Sequence, residues 1–309
     1  MLSFLPAPLL GVIMGLLIIA STVWSAALIL LFSPLKLVVM AIPALAPLLR
    51  QLMTFFQENW TANNARLYKL LPPLRWDVRG LGELRRDRWY FVVSNHQAWM
   101  DILASFHVLN RRIPPLKFFL KQELLYVPVV GLAVLALDYP FMKRHSAAQL
   151  ARRPELRGQD LDTTRRACAK YSHYPVSVFN YLEGTRITSA KHAATRSRYR
   201  HLLPPKSAGA AFVLNALGNR MDCLLDLTVF YPQGAPSFWD FCCGRVRHIV
   251  IDIRLLPIPP HFCESSYESD PDFRHAFKDW IGKLWADKDN TLQRLHDETA
   301  RHTRQQEER

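Results

Sequence analysis

Apolar residues are unevenly spread along the 309-residue chain. Residues 1–35 carry no charged side chain, and the run over 9–32 (LLGVIMGLLIIASTVWSAALILLF) exceeds the roughly 20 apolar residues that a membrane span needs. A cleavable signal peptide would place basic residues ahead of its apolar run. Here the first lysine, Lys36, comes after it, so the run reads as an anchor. The excess of positive charge beyond the run predicts that side to be cytoplasmic. A second apolar stretch, 35–56, is interrupted by Pro43, Pro47 and Arg50. These make a clean second span costly and favour a re-entrant or interfacial helix.

After a Leu-Leu-Pro-Pro-Leu linker at 70–74 the pattern changes. Short aromatic and β-branched runs predict strands over 76–78, 89–94, 116–120, 139–142, 176–181, 223–231 and 247–255. Helical spacing predicts helices over 99–109, 161–171 and 207–217, and a helical or membrane-skimming segment over 122–137. Phe273, Phe277, Trp280, Leu284 and Leu292 predict one or two further helices over 270–301. Strands separated by helices imply an α/β fold, a largely parallel or mixed sheet with helices on its faces. Three parts follow: anchoring and interfacial helices over 1–69, a globular domain over 70–262, and a helical extension with a charged tail over 263–309. No internal repeat is visible.

The formal net charge of +13 implies a polyanionic partner, either nucleic acid or an anionic membrane face. No nucleic-acid motif is present, and the basic residues do not form one arm with interleaved aromatics. With the apolar N-terminus, this favours membrane phosphates. The five cysteines (Cys168, Cys223, Cys242, Cys243 and Cys263) are odd in number and lack C-x-x-C spacing. They suggest neither a disulfide framework nor a zinc site, and they fit a reducing compartment.

Three stretches carry candidate chemistry. In Asn95-His96-Gln97-Ala98-Trp99-Met100-Asp101, a histidine and an aspartate lie five apart across a strand-to-helix junction. On one continuous helix they would point about 140° apart. They meet only if His96 lies in the turn and Asp101 in the following helix. An imidazole oriented by a carboxylate suits proton removal from a hydroxyl near neutral pH. The second stretch, Glu183-Gly184-Thr185-Arg186, follows the strand expected at 176–181 and is surrounded by Lys191, Arg196, Arg198, Arg200 and Lys206. It fits a solvated basic loop or a phosphate site, since an arginine fork matches phosphate oxygens. The third ends a short strand at Lys121, which either faces the cleft of His96 or caps the strand in solvent.

The order Asn-His-Gln-Ala-Trp-Met-Asp, then Phe-Leu-Lys-Gln-Glu-Leu-Leu-Tyr-Val-Pro-Val-Val-Gly, then Leu-Glu-Gly-Thr-Arg resembles the 1-acylglycerol-3-phosphate acyltransferase family of membrane glycerolipid enzymes. The likeness runs from about residue 76 to 292, and the first block matches that family's H-x4-D motif. It implies a glycerolipid-acyltransferase fold with a membrane-anchoring N-terminal region. It also implies that His96 is the general base and Asp101 its orienting carboxylate. Lys121, Glu183, Gly184, Thr185 and Arg186 would then form the site for the acceptor phosphate. The segment 229–232 is carried over only as a wall of the pocket. The implied reaction moves an acyl group from a thioester directly to the free hydroxyl of 1-acylglycerol-3-phosphate, giving phosphatidic acid; the alternative is the same chemistry on another lysophospholipid or with unusual acyl chains. Acyl-coenzyme A or acyl carrier protein would be the donor, and no metal or other cofactor is needed. The implied location is a bacterial inner membrane, catalytic side cytoplasmic. A non-enzymatic basic adaptor docking on anionic lipid would instead need its lysines and arginines collectively and His96 not at all. Nucleic-acid binding by the loop over 191–200 would show steep salt dependence.

Overall fold

The computed structural model describes residues 2, 4–142, 166, 168–171, 173–221, 223–264, 267 and 270–307. Six strands form one mixed sheet: β1 (Arg75–Arg79), β2 (Tyr90–Ser94), β3 (Leu116–Phe118), β6 (Ser177–Tyr181), β7 (Cys223–Phe230) and β8 (His248–Pro257). Their spatial order is β1-β8-β7-β2-β6-β3, and only the β7–β8 pair is antiparallel. β4 (Leu120–Lys121) and β5 (Phe141–Met142) make a separate parallel pair. The central strands β2 and β7 are buried along their whole length, because helices cover both faces. That is why β2 reads as a near-continuous apolar run rather than an alternating one, while the apolar run of β7 is broken by the buried Asp226 and Thr228.

Successive side chains in a strand point to opposite faces, and β2 shows it. Tyr90 and Val92 join one core, with Leu225, Ile249 and Ile251. Phe91 and Val93 join the other, with Leu224 and Val250. The first core is closed by α1 (Ala7–Phe32), α3 (Ala46–Tyr68), α4 (Met100–Leu109), α5 (Val130–Ala136) and α8 (Phe238–Cys242), while α2 (Leu35–Ala41) buries no residue. The second is closed by α7 (Ser207–Leu217), α9 (His261–Glu264) and α10 (Pro271–Glu307), while α6 (Ser189–Thr195) lies on the surface.

Among the described residues, α1 is the one helix long and apolar enough to cross a membrane by length and composition. Its 26 residues extend about 39 Å. Leu10, Met14, Ile18, Ala26 and Ile29 form its buried side, against α3, α5 and α8. Leu9, Val12, Leu16, Ile19, Val23 and Trp24 face outward. The helix therefore runs along the globular body with an apolar stripe left exposed. The second apolar stretch divides into α2, a 3-10 turn at Pro43–Leu45 and α3. Pro47 falls in the first turn of α3, where a missing N–H costs nothing. Trp60 Nε1 donates to Thr22 Oγ1 at 3.1 Å and ties α3 to α1.

Pro128 splits the expected segment 122–137 into a 3-10 turn (Gln122–Tyr126) and α5. The helix expected over 161–171 lies partly outside the described residues, and 168–171 is helical. The C-terminal stretch is one helix of 37 residues, begun by Pro271 and by Asp270, whose carboxylate accepts from Phe273 N at 2.9 Å. It is bolted to the sheet. Lys288, wholly buried, places Nζ 2.5 Å from Asp226 Oδ1 on β7 and donates to the Leu227 carbonyl and to Thr228 Oγ1. Arg254 of β8 donates through Nε and Nη2 to Asp226 Oδ2 at 3.0 and 2.5 Å. Burial pushes the Lys288 ammonium toward its neutral form, and the Asp226 carboxylate opposes that shift.

Removing one partner of a buried ion pair leaves the other uncompensated, at about 3–5 kcal/mol. Asp226→Ala strands Lys288 in this way. Thermal or denaturant unfolding of detergent-solubilised protein should show a loss of that order, and a loss below about 1 kcal/mol, the level of an exposed pair, would contradict the arrangement.

Candidate active site

β2, β6 and β7 run parallel, so their C-terminal ends share one side of the sheet. That edge is where open α/β sheets place their ligands. His96 lies two residues past the end of β2, in irregular backbone, and Asp101 is the second residue of α4. His96 Nδ1 and Asp101 Oδ2 are 2.8 Å apart. A carboxylate can only accept, so Nδ1 carries the proton and Nε2 is left as the basic nitrogen. The same Oδ2 accepts from the backbone N–H groups of Gln97 at 2.5 Å and Ala98 at 2.9 Å. Oδ1 accepts from Tyr231 Oη at 2.7 Å. Asp101 is fully buried, while the His96 side chain is 15% exposed and stacks on Tyr181 at 4.0 Å. The imidazole is thus held by a hydrogen bond at one nitrogen and by a ring on its face.

Two further bonds fix the backbone of His96. Its N–H donates to Glu183 Oε1 at 2.8 Å, and its carbonyl accepts from Ile187 N at 2.9 Å. Asn95 pins the loop from the other side, with Nδ2 donating to the Val229 carbonyl and Oδ1 accepting from Val229 N, both at 2.9 Å.

The 183–187 loop that holds His96 also carries Arg186. This side chain is exposed, with Cζ 5.3 Å over the ring of Trp99, and no carboxylate pairs with it among the described residues. Gly184 takes φ +68°, a region that L side chains rarely adopt, and lets Lys206 lie close against the loop. Lys191 Nζ donates to Thr185 Oγ1 at 2.7 Å and to the Arg186 carbonyl at 3.0 Å. The exposed rim of this site is therefore cationic.

Two sequence expectations change in detail. Glu183 faces inward: it is 1% exposed, and its second oxygen accepts from Leu203 N at 3.2 Å. Its carboxylate supports the loop through its two backbone bonds, to His96 and Leu203. Lys121 is exposed on β4, and no hydrogen bond or ion pair ties it to the loop of His96 among the described residues. Sequence reasoning missed Asn95, Tyr181 and the hydroxyl of Tyr231. Asn95 directly follows β2, while Tyr181 and Tyr231 sit at the ends of β6 and β7 beside it, where only the strand order could have marked them.

The site therefore sets a histidine and an aspartate at a strand end, beside an arginine-bearing loop, on the mixed sheet of an α/β protein. The chain belongs to the Acyltransferase family, whose sequence profile matches residues 75–230. It is 24% identical over 258 residues to lysocardiolipin acyltransferase 1 of Danio rerio, covering 79% of this chain and 61% of that one. It is 26% identical over 222 residues to 1-acyl-sn-glycerol-3-phosphate acyltransferase gamma of Homo sapiens, covering 67% of this chain and 53% of that one. The chain thus spans at most about three-fifths of the length of these curated relatives. Its fold is similar to the crystal structure of the 1-acyl-sn-glycerophosphate (LPA) acyltransferase PlsC from Thermotoga maritima, with a TM-score of 0.52 and 18% identity over 90% of this chain and 95% of that one. That match bears out the mixed sheet flanked by helices.

Burial pushes the Glu183 carboxyl up from 4.5 to about 7. Between those values the folded state binds more protons than the unfolded one, so this group's stability contribution is complete below about 4.5 and is lost as pH rises through 7. The loss is on the order of 3 kcal/mol. Glu183→Gln should flatten the fall in unfolding midpoint between pH 5 and pH 8; an unchanged slope would contradict the burial assigned to Glu183.

Proposed function

We propose that the protein transfers a fatty acyl group from a thioester to the free hydroxyl of 1-acylglycerol-3-phosphate, giving phosphatidic acid. The observation that supports this most is the joining of the two loops: the His96 carbonyl is hydrogen bonded to Ile187, the residue after Arg186. This joining supports a base and a phosphate-binding guanidinium that open on one rim.

In this reading Arg186, with Lys191 behind it and Gly184 and Thr185 shaping the loop, binds the acceptor phosphate. His96 Nε2 accepts the proton of the acceptor hydroxyl. The oxygen attacks the thioester carbonyl, forming a C–O bond and a tetrahedral intermediate. As the intermediate collapses, the C–S bond breaks and the imidazolium returns its proton to the departing sulfur. The products are an ester and a thiol. Asp101 stabilises the imidazolium while it exists, and Tyr231 and the two backbone N–H groups keep Asp101 in place. A thioester is already activated, so positioning and a base are enough, the base contributing roughly 10²–10⁴-fold.

The exposed stripe of α1 supports membrane attachment, and the basic residues that follow it favour the cytoplasmic face of a bacterial inner membrane. Acyl-coenzyme A and acyl carrier protein are both admissible donors. A second reading keeps the chemistry and changes the acceptor to another lysophospholipid; the likeness to a protein described as a lysocardiolipin acyltransferase favours including it.

The test is to incubate purified protein with labelled acyl-coenzyme A or acyl carrier protein and a panel of lysophospholipids, then identify products by mass spectrometry. Lysophosphatidate should be the acceptor consumed fastest. His96→Ala should fold and remain membrane-bound while losing at least about 10²-fold in kcat. Asp101→Asn should lose roughly 10³–10⁴-fold, by analogy with the orienting aspartate of a serine-protease triad. Arg186→Ala should act mainly through KM for the acceptor. Near-normal turnover by His96→Ala would refute the role of His96, and failure with every lysophospholipid would refute the reaction.

A further inference from the structure

A second cleft, of about 820 Å³, lies at the other end of the sheet. Its wall includes Pro114, Pro115 and Val176, which stand ahead of β3 and β6, whereas His96 stands past the end of β2. These strands are parallel, so the length of the sheet separates the cleft from His96. α2, α3 and the end of α5 enclose it.

Five cations line the cleft: Lys36, Arg50, Arg86, Lys117 and Lys170. The two carboxylates there are each already shared. Asp138 pairs with Lys36 at 2.9 Å and Lys170 at 3.5 Å. Glu58 pairs with Arg86, and Arg111 Nε lies 3.5 Å from it.

Lys117 is the anomaly. It is 7% exposed, and its ammonium donates to the Leu137 carbonyl at 2.7 Å and lies 4.9 Å from the Tyr139 ring. No carboxylate pairs with it among the described residues. A buried charge is ordinarily paired, because taking it out of water unpaired is costly. Burial accordingly pushes its ammonium down to about 8. Arg50 is similar: its guanidinium sits 4.0 Å over the Tyr174 ring with no carboxylate among the described residues. One anion in the cleft would serve both.

The surroundings indicate where that anion comes from. Phe55 lines the cleft and is exposed, and Leu35, Val38, Met40 and Leu48 are exposed on the neighbouring helices. A soluble anion gains nothing from an apolar border, whereas a lipid can place its headgroup among the cations and its chains over α2 and α3.

We propose that this cleft binds the phosphate headgroup of an anionic membrane phospholipid, at a site separate from the one that holds the acyl acceptor. The site stands on its own geometry and is independent of the reaction proposed for His96.

The thermal midpoint of the full chain in detergent tests it, with dihexanoyl phosphatidylglycerol, dihexanoyl phosphatidylcholine and inorganic phosphate compared at equal concentration. The anionic lipid should raise the midpoint of the wild type and of Arg186→Ala alike, which separates this site from the acceptor's. Phosphatidylcholine and inorganic phosphate should raise it much less. Losing a charged hydrogen-bond partner should shift the half-saturating concentration by about tenfold or more in Lys117→Met and in Arg50→Gln. Lys117→Met exchanges the buried charge for an apolar chain of similar length. Should it fail to fold, Arg50→Gln, at a partly exposed position, carries the test. Equal shifts from phosphatidylcholine or from inorganic phosphate, an undiminished shift in Arg50→Gln, or loss of the shift in Arg186→Ala would each overturn the proposal.

Discussion

The geometry of the site depends on the two peptide groups of His96. One is the donor in a bond to Glu183, the other the acceptor in a bond from Ile187. The loop after β2 and the loop after β6 are therefore a single hydrogen-bonded unit, and neither can shift without the other. Burial raises what is at stake, since an unsatisfied backbone group away from water costs about 1–3 kcal/mol. Glu183 satisfies two such groups at once, at His96 and at Leu203, and this fixes the loop that presents Arg186. Asn95 and Tyr231 bring the end of β7 into the same unit. From there Asp226 and Lys288 continue the connection through β7 to α10, so the C-terminal helix belongs to the scaffold of the site.

Much of this was legible in the sequence, and the limits have physical causes. The strands β2 and β7 stand out because burial on both faces selects largely apolar runs, although β7 also carries the buried, ion-paired Asp226. The His96–Asp101 spacing is legible because only one backbone arrangement, turn then helix, lets the two side chains meet. The helix boundaries at 122–137 were less so, because an apolar segment does not say which side of Pro128 keeps helical hydrogen bonds. The direction of β8 was also hidden: its alternating pattern is the same whether its neighbour runs parallel or antiparallel. Glu183 shows the deepest limit. Side by side with Arg186 in the chain, it looks like a second polar group for a ligand, yet the backbone turn at Gly184 sends the two side chains to opposite sides, one inward and one outward.

The membrane-facing surface and the charged surfaces belong to one arrangement. The outward stripe of α1 and the exposed apolar residues of α2 and α3 offer contact with hydrocarbon. The cationic loop around Arg186 and the cationic cleft under α3 lie at opposite ends of the parallel strands. In the two proposals the chain meets phosphate twice, once as part of its reactant and once as part of the surface on which it works. The basic balance of the whole chain, +13, is what such an environment would select.

The most direct measurement is a structure of the full chain with a non-reactive lysophosphatidate analogue bound. The phosphate should lie in contact with the Arg186 guanidinium, and the acceptor hydroxyl should lie about 2.6–3.2 Å from His96 Nε2. A phosphate held elsewhere, with His96 Nε2 turned away from the hydroxyl, would contradict the convergence of those two groups on one reactant.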